Sequence, residues 1–208
     1  MARDGIGTQI ETLIRNGKWK QARTAIEKQL SKEPDDHWLW SRLSGVKYEQ
    51  RDYQGALEAA EKALEIIPDC PLAHWSKAAT VEMLGKTGEA MDLYARLFHR
   101  GLEQLENPDS DANECWEGPD WTSGLMADCL FRIAGCLAKG QPNPRSKLNR
   151  KDLAVETYQA FLRLLDLGVP SIYSRDDALV RLKKLVPSKD AKLKAAVKSM
   201  GKMELITS

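Results

Sequence analysis

Between His37 and Pro68 apolar side chains recur at helical spacing twice, with a short polar break between the two runs. Trp40, Leu43, Val46 and Tyr48 form the first stripe, and Tyr53, Ala56, Leu57, Ala60, Leu64 and Ile67 form the second. Gln50, Arg51 and Asp52 lie between them. The i, i+3, i+4, i+7 recurrence predicts two amphipathic helices joined by a tight turn. Small Ala56, Ala59, Ala60 and Ala63 let the second helix approach its neighbours closely, and Pro68 with Asp69 ends it.

Displacing the chain by 34 residues in either direction superposes the pattern on itself. Ala22, Ala56 and Ala90 coincide on the second helices, as do Leu30, Leu64 and Phe98. Gly17, Arg51 and Gly85 coincide at the inner turn, followed by Trp19, Tyr53 and Thr87. On the first helices Ile6, Trp40 and His74 align, then Ile10, Ser44 and Ala78, then Leu13, Lys47 and Val81. Pro34 and Pro68 close two units. With Trp40, Leu43, Ser44, Lys47, Ala56, Ala60 and Pro68 at the signature positions, the chain resembles the tetratricopeptide repeat family. Ser44, Lys47 and Ala60 depart from the family's glycine, tyrosine and phenylalanine.

The resemblance implies an all-α fold, a right-handed superhelical solenoid of antiparallel helix pairs. Residues 3–105 hold three repeats, 3–36, 37–70 and 71–105, the last with a longer second helix through Leu105. Gly5 and Gly7 weaken the opening turn. Residues 106–121 read as an acidic loop rich in Pro, Asp, Asn and Gly. Residues 122–168 read as a divergent fourth repeat with an insertion at 141–149, where Asn149 or Asp152 caps the second helix. There Ala154, Tyr158, Phe161 and Leu162 take the spacing of Ala56, Ala60, Ala63 and Leu64, and Gly168 and Pro170 end the run. Capping helices are expected within 172–200, at about 174–186 and 188–200, because a terminal repeat otherwise leaves an apolar face in water.

Charge and composition narrow the function classes. A formal net charge of +1 supplies no global field for nucleic acid or membrane. No run reaches the roughly 18 apolar residues of a membrane span, and the first residues lack the apolar core of a signal peptide. Cys70, Cys115, Cys129 and Cys136 form no framework of the small secreted kind, so a reduced, cytoplasmic protein is expected. Locally, charge is uneven: residues 101–131 carry eight carboxylates and no Lys or Arg, whereas 179–203 carry eight cations against Asp190 alone. The basic tail 188–203 lacks interleaved aromatics, so nucleic-acid binding is disfavoured and a solvated face is the plainer reading.

The resemblance also implies where a partner would bind, since first helices of such repeats line a concave groove. In the second repeat the inner positions fall on Trp38, Ser41, Gly45, Tyr48 and Glu49, and in the third on Leu72, Trp75, Ala79, Glu82 and Met83. The first offers Asp4, Gly7, Glu11, Ile14 and Arg15, and the fourth Ala127, Leu130, Ala134, Leu137 and Ala138. Aromatic anchors with small residues between them suit an apolar peptide or helix of a partner protein, although any one ring can instead pack between repeats. Gly7, Glu11, Ser41, Gly45, Trp75 and Ala79 occupy sites where carboxylate-clamping members carry basic and amide groups, so that specificity is not expected.

Other chemistry is thinly supported. Asp109, Asp111, Asn113, Glu117 and Asp120 approach the oxygen-ligand spacing of a calcium loop. Glu114 stands where that turn needs glycine and Asp120 is short for the last ligand, so no metal is assigned and a solvated turn is expected. Cys70 and His74 supply only two ligands, and Cys129 and Cys136, seven apart on one helical face, read as core residues. No phosphate loop or catalytic motif is present, and no cofactor is expected. The reading is thus a non-enzymatic interaction module, an adaptor, chaperone or assembly factor, with self-association through an apolar face as a further option. The alternative is a repeat-scaffolded regulator with a metal-sensing acidic loop or a nucleic-acid-binding basic tail.

Overall fold

A computed structural model of the chain describes residues 5–107, 115–140 and 149–185. Among these residues nine α-helices and no strand are found: α1 Gly5–Arg15, α2 Trp19–Leu30, α3 His37–Glu49, α4 Tyr53–Ile66, α5 Pro71–Met83, α6 Thr87–Glu106, α7 Pro119–Lys139, α8 Arg150–Asp166 and α9 Arg175–Leu185. The helices group into two units, Met1–Leu93 with Asp109–Trp116, and Tyr94–Pro108 with Glu117–Ser208. The expected helix at 188–200 lies outside the described residues.

Local chemistry sets the helix ends. Asp36 caps α3, its Oδ1 accepting from the N–H groups of Trp38 at 2.8 Å and Leu39 at 3.2 Å. Asp52 caps α4 through the Gly55 N–H at 3.1 Å, and of the two candidate caps of α8 it is Asn149 that accepts from Lys151 N. Ser174 and Asp177 form a reciprocal capping box on α9: Ser174 Oγ accepts from Asp177 N, and Asp177 Oδ2 accepts from Ser174 N at 2.9 Å. Pro71 and Pro119 open α5 and α7, where a missing N–H costs nothing.

The inner turns repeat one backbone device. Gly17, Arg51 and Gly85 have φ of 65°, 62° and 83°, and each follows a helix whose last carbonyls are closed by a Schellman pair of bonds. At the middle turn Arg51 N donates to Tyr48 O and Asp52 N to Lys47 O, both at 2.9 Å. Arg51 is the one non-glycine residue with positive φ among those described. The same pair of bonds ends α8, with Gly168 at φ 82°.

In the first unit α1 packs on α2, α2 on α3, α3 on α4 and α4 on α5, with α3 also touching α5. Ile10, Ala22, Ile26, Leu30, Leu39, Leu43, Val46 and Ala59 form its main core, with Trp19, Trp38 and Trp40 half-buried against it. The 34-residue register survives in the packing, because Ala22, Ala56 and Ala90 are all fully buried. Ser44, at a position where the family keeps glycine, is fully buried too, and its Oγ donates to Ala56 O on α4 at 2.8 Å. The hydroxyl therefore adds a hydrogen bond between paired helices at a point of close approach.

In the second unit α7 packs on α8 and both pack on α9. Phe131 sits at the centre, edge-on to Tyr158 and Phe161 at 5.4 and 5.2 Å between centroids and stacked on Tyr173 at 4.0 Å. The Arg181 guanidinium lies 4.6 Å from the same ring centroid, and Ala178 and Leu182 seal the apolar face of α7 and α8. Helix α7 and the segment after α8 come so close that a Cβ on Gly124 would stand 3.0 Å from Pro170 O.

Candidate partner-binding face

On α3 the residues Trp38, Ser41, Gly45, Tyr48 and Glu49 share one side of the helix by their spacing. Gly45 is the open point of that side, since a Cβ placed there would meet nothing within 4 Å. One edge is turned toward α1: Arg42 lies 5.3 Å from the Trp38 ring centroid and pairs with Glu11 at 2.7 Å. The other edge is turned toward α5, because buried Ser41 brings its Oγ to 3.8 Å from Cys70 Sγ.

The rings differ in how much they offer. Trp38 is half-buried and borders a hollow of about 270 Å³ shared with Ile6, Gly7, Gln29, Glu33, Asp36 and Leu39. It thus serves the seam between the first two helix pairs as well as the surface. Tyr48 is half-buried and edge-on to Tyr53 at 5.6 Å. Glu49 is exposed. On α5 Trp75 and Glu82 are half-buried, Ala79 is buried, and Met83 is 45% exposed.

The corresponding positions in the second unit are of another kind. Ala127 and Ala134 are fully buried in the aromatic core, while Leu130, Leu137 and Ala138 are half-buried. Of the acidic-loop candidates, Asp109, Asp111 and Asn113 lie outside the described residues, as does the basic tail; Glu117 and Asp120 are exposed.

The remaining titratable groups have structural occupations. His74 Nε2 is 2.8 Å from Pro68 O, so the ring turns back onto the preceding turn. Cys129 is fully buried, and burial with the nearby Asp128 charge pushes its thiol pKa up, which keeps it protonated and unreactive. Asp128 itself is 7% exposed, and burial raises its carboxyl to about 6 against the lowering influence of its hydrogen bonds. Its Oδ1 accepts from Ser171 Oγ at 2.5 Å and from Ile172 N at 3.1 Å. This carboxyl anchors the segment after α8 and was invisible to motif reasoning, because its partners lie more than 40 residues away.

Comparison with known proteins agrees with this architecture. A family model, Tetratricopeptide repeat, matches residues 8–69 and 44–100. The chain belongs to the tetratricopeptide repeat family, whose helix pairs serve as scaffolds for protein–protein interaction. No curated protein matches it in sequence. Among solved structures, "MamA RS-1 ArsTM double mutant" is similar at a TM-score of 0.50 and 12% identity, covering 96% of this chain and 94% of that one. "MamA 41-end from Desulfovibrio magneticus RS-1" gives 0.49 at 13% identity, covering 94% and 93%. At such identities the likeness is one of fold. No described helix is long and apolar enough to cross a membrane.

Proposed function

We propose that this chain is a non-catalytic adaptor whose α3 and α5 faces hold an extended or helical segment of another protein. The observation that carries the reading is the empty space in front of Gly45, bordered on its own helix by Trp38 and Tyr48. A side-chain-free helical position is otherwise unfavourable by about 0.5–1 kcal/mol, so an unfilled one on an aromatic-flanked surface suits close approach by a guest backbone. Trp75 and the exposed Met83 extend the apolar surface on α5 by repeat register. Glu49 and Glu82 bring carboxylates to the same positions, which favours a guest with Lys or Arg beside its apolar anchors.

The test fills the space without touching the core. Gly45→Arg should keep the helical circular dichroism and raise the melting temperature slightly, while abolishing capture of partners from extract of the source cell. Each recovered protein is then titrated against the purified chain and against a Trp38→Ala, Tyr48→Ala, Trp75→Ala variant. Equal affinity for all three chains would refute the face.

A further inference from the structure

Three segments distant in sequence converge within the first unit. His37 is the first residue of α3, Cys70 immediately precedes α5, and Cys115 lies on the segment ahead of α7. One ligand atom from each, an imidazole nitrogen and two sulfurs, lies within 4.8 Å of the others. Cys115 Sγ stands 3.4 Å from His37 Nε2, and no cysteine of the chain is in a disulfide. We propose that His37, Cys70 and Cys115 bind a zinc(II) ion, with water or a small exogenous ligand in the fourth position.

The geometry is close to what zinc requires. Bonds of about 2.3 Å to sulfur and 2.0–2.1 Å to nitrogen at tetrahedral angles put the ligand atoms about 3.5–3.8 Å apart. The Cys115–His37 edge is already at that length, and the other edges close by about 1 Å at most, within reach of side-chain rotation. Cys70 is 3% exposed, whereas His37 and Cys115 are half-buried, which leaves a route for the ion and room for the fourth ligand.

Charge and surroundings select the metal. Ala63, Ala73, Trp40, Leu64, Ile67 and Leu72 pack around Cys70 and Cys115, so a site with net charge would be costly there. Two thiolates, a neutral imidazole and zinc(II) sum to zero, while copper(I) would leave one negative charge. Calcium and magnesium prefer oxygen donors. Binding exchanges two S–H bonds for two S–Zn bonds and releases both protons to solvent. Cys70 sits at the N-cap of α5, where the helix end favours a thiolate. Buried Ser41 supports both first ligands: its Oγ donates to His37 O at 2.9 Å and lies against Cys70 Sγ. Bound zinc would tie the Cys115 segment to the starts of α3 and α5.

The full reduced chain, freed of metal, is titrated with cobalt(II) and then zinc(II). One cobalt per chain should give the d–d bands of tetrahedral coordination and sulfur-to-cobalt charge transfer, both bleached by zinc. Cys115→Ala should halve the charge transfer, and it and His37→Ala should each weaken zinc binding at least about a hundredfold, against the 10–100-fold usual for an outer-shell change. His99→Ala and Gly45→Arg should bind zinc like the parent chain, the latter separating metal uptake from partner capture. Circular dichroism confirms that each variant is folded. No uptake by the reduced chain at micromolar zinc, or uptake that persists in folded Cys115→Ala and His37→Ala, overturns the proposal.

Discussion

The two units solve the same packing problem with different materials. The first is built on repetition: alanines 34 residues apart are fully buried, and paired helices approach closely enough for Ser44 to reach the Ala56 carbonyl. The second is built on bulk: Phe131, Tyr158, Phe161 and Tyr173 meet ring to ring, an arginine lies over the cluster, and a carboxyl is buried beside it. Small-residue seams distribute stability over many modest contacts, whereas an aromatic cluster concentrates it in a few side chains. Sensitivity to a single truncation should therefore be unequal.

Phe131→Ala gives the largest expected effect. Removing a fully buried ring from the centre of the cluster should cost about 3–5 kcal/mol, read by urea denaturation. Hydrogen exchange should show α7, α8 and α9 opening first; simultaneous loss of protection in α2 to α4 would break the contrast.

Next is the buried carboxyl. Asp128 titrates at about 6 in the folded chain against an ordinary 3.8, so its proton is held more tightly when folded. Its contribution is fully present below pH 4 and is lost as pH rises through 6, a swing of about 3 kcal/mol at 1.36 kcal/mol per unit. Asp128→Asn, which keeps an acceptor for Ser171 and Ile172, should flatten this part of the stability profile and raise stability at neutral pH. A slope of unchanged size in the variant would locate the titration elsewhere.

The smallest effect belongs to the first unit. Arg51 adopts at φ 62° a conformation that its neighbours in register reach with glycine. Relieving the Cβ clash, Arg51→Gly should stabilise the chain by about 1 kcal/mol, measured as a shift of the urea midpoint at constant slope. A neutral or destabilising result would mean that the arginine side chain makes a compensating contribution.

What could be read in advance follows the same division. The helical stripes of α3 and α4, the turn shared by Gly17, Arg51 and Gly85, and the lengthened α6 all leave periodic marks, because they depend on near neighbours. Helix α8 was also legible, since Asn149 and the spacing of Tyr158 and Phe161 are local signals. The Asp128 anchor was not, because a single long-range polar contact imposes no period. Likewise His37, Cys70 and Cys115 are 33 and 45 residues apart and match no metal-ligand spacing. The face around Gly45 stands between these cases: register nominated its residues, but only coordinates reveal that space lies ahead of the glycine while Trp38 doubles as a seam residue.

The left-handed turns have one more consequence, for how such a chain tolerates editing. Each residue advances a helix by about 100°, so inserting or deleting a single residue within α2 or α4 would rotate everything up to the next turn and exchange lining for exterior. Duplication of a whole 34-residue segment leaves every angle in step. The chain behaves as a screw thread, open to lengthening by complete pitches and jammed by fractions of one.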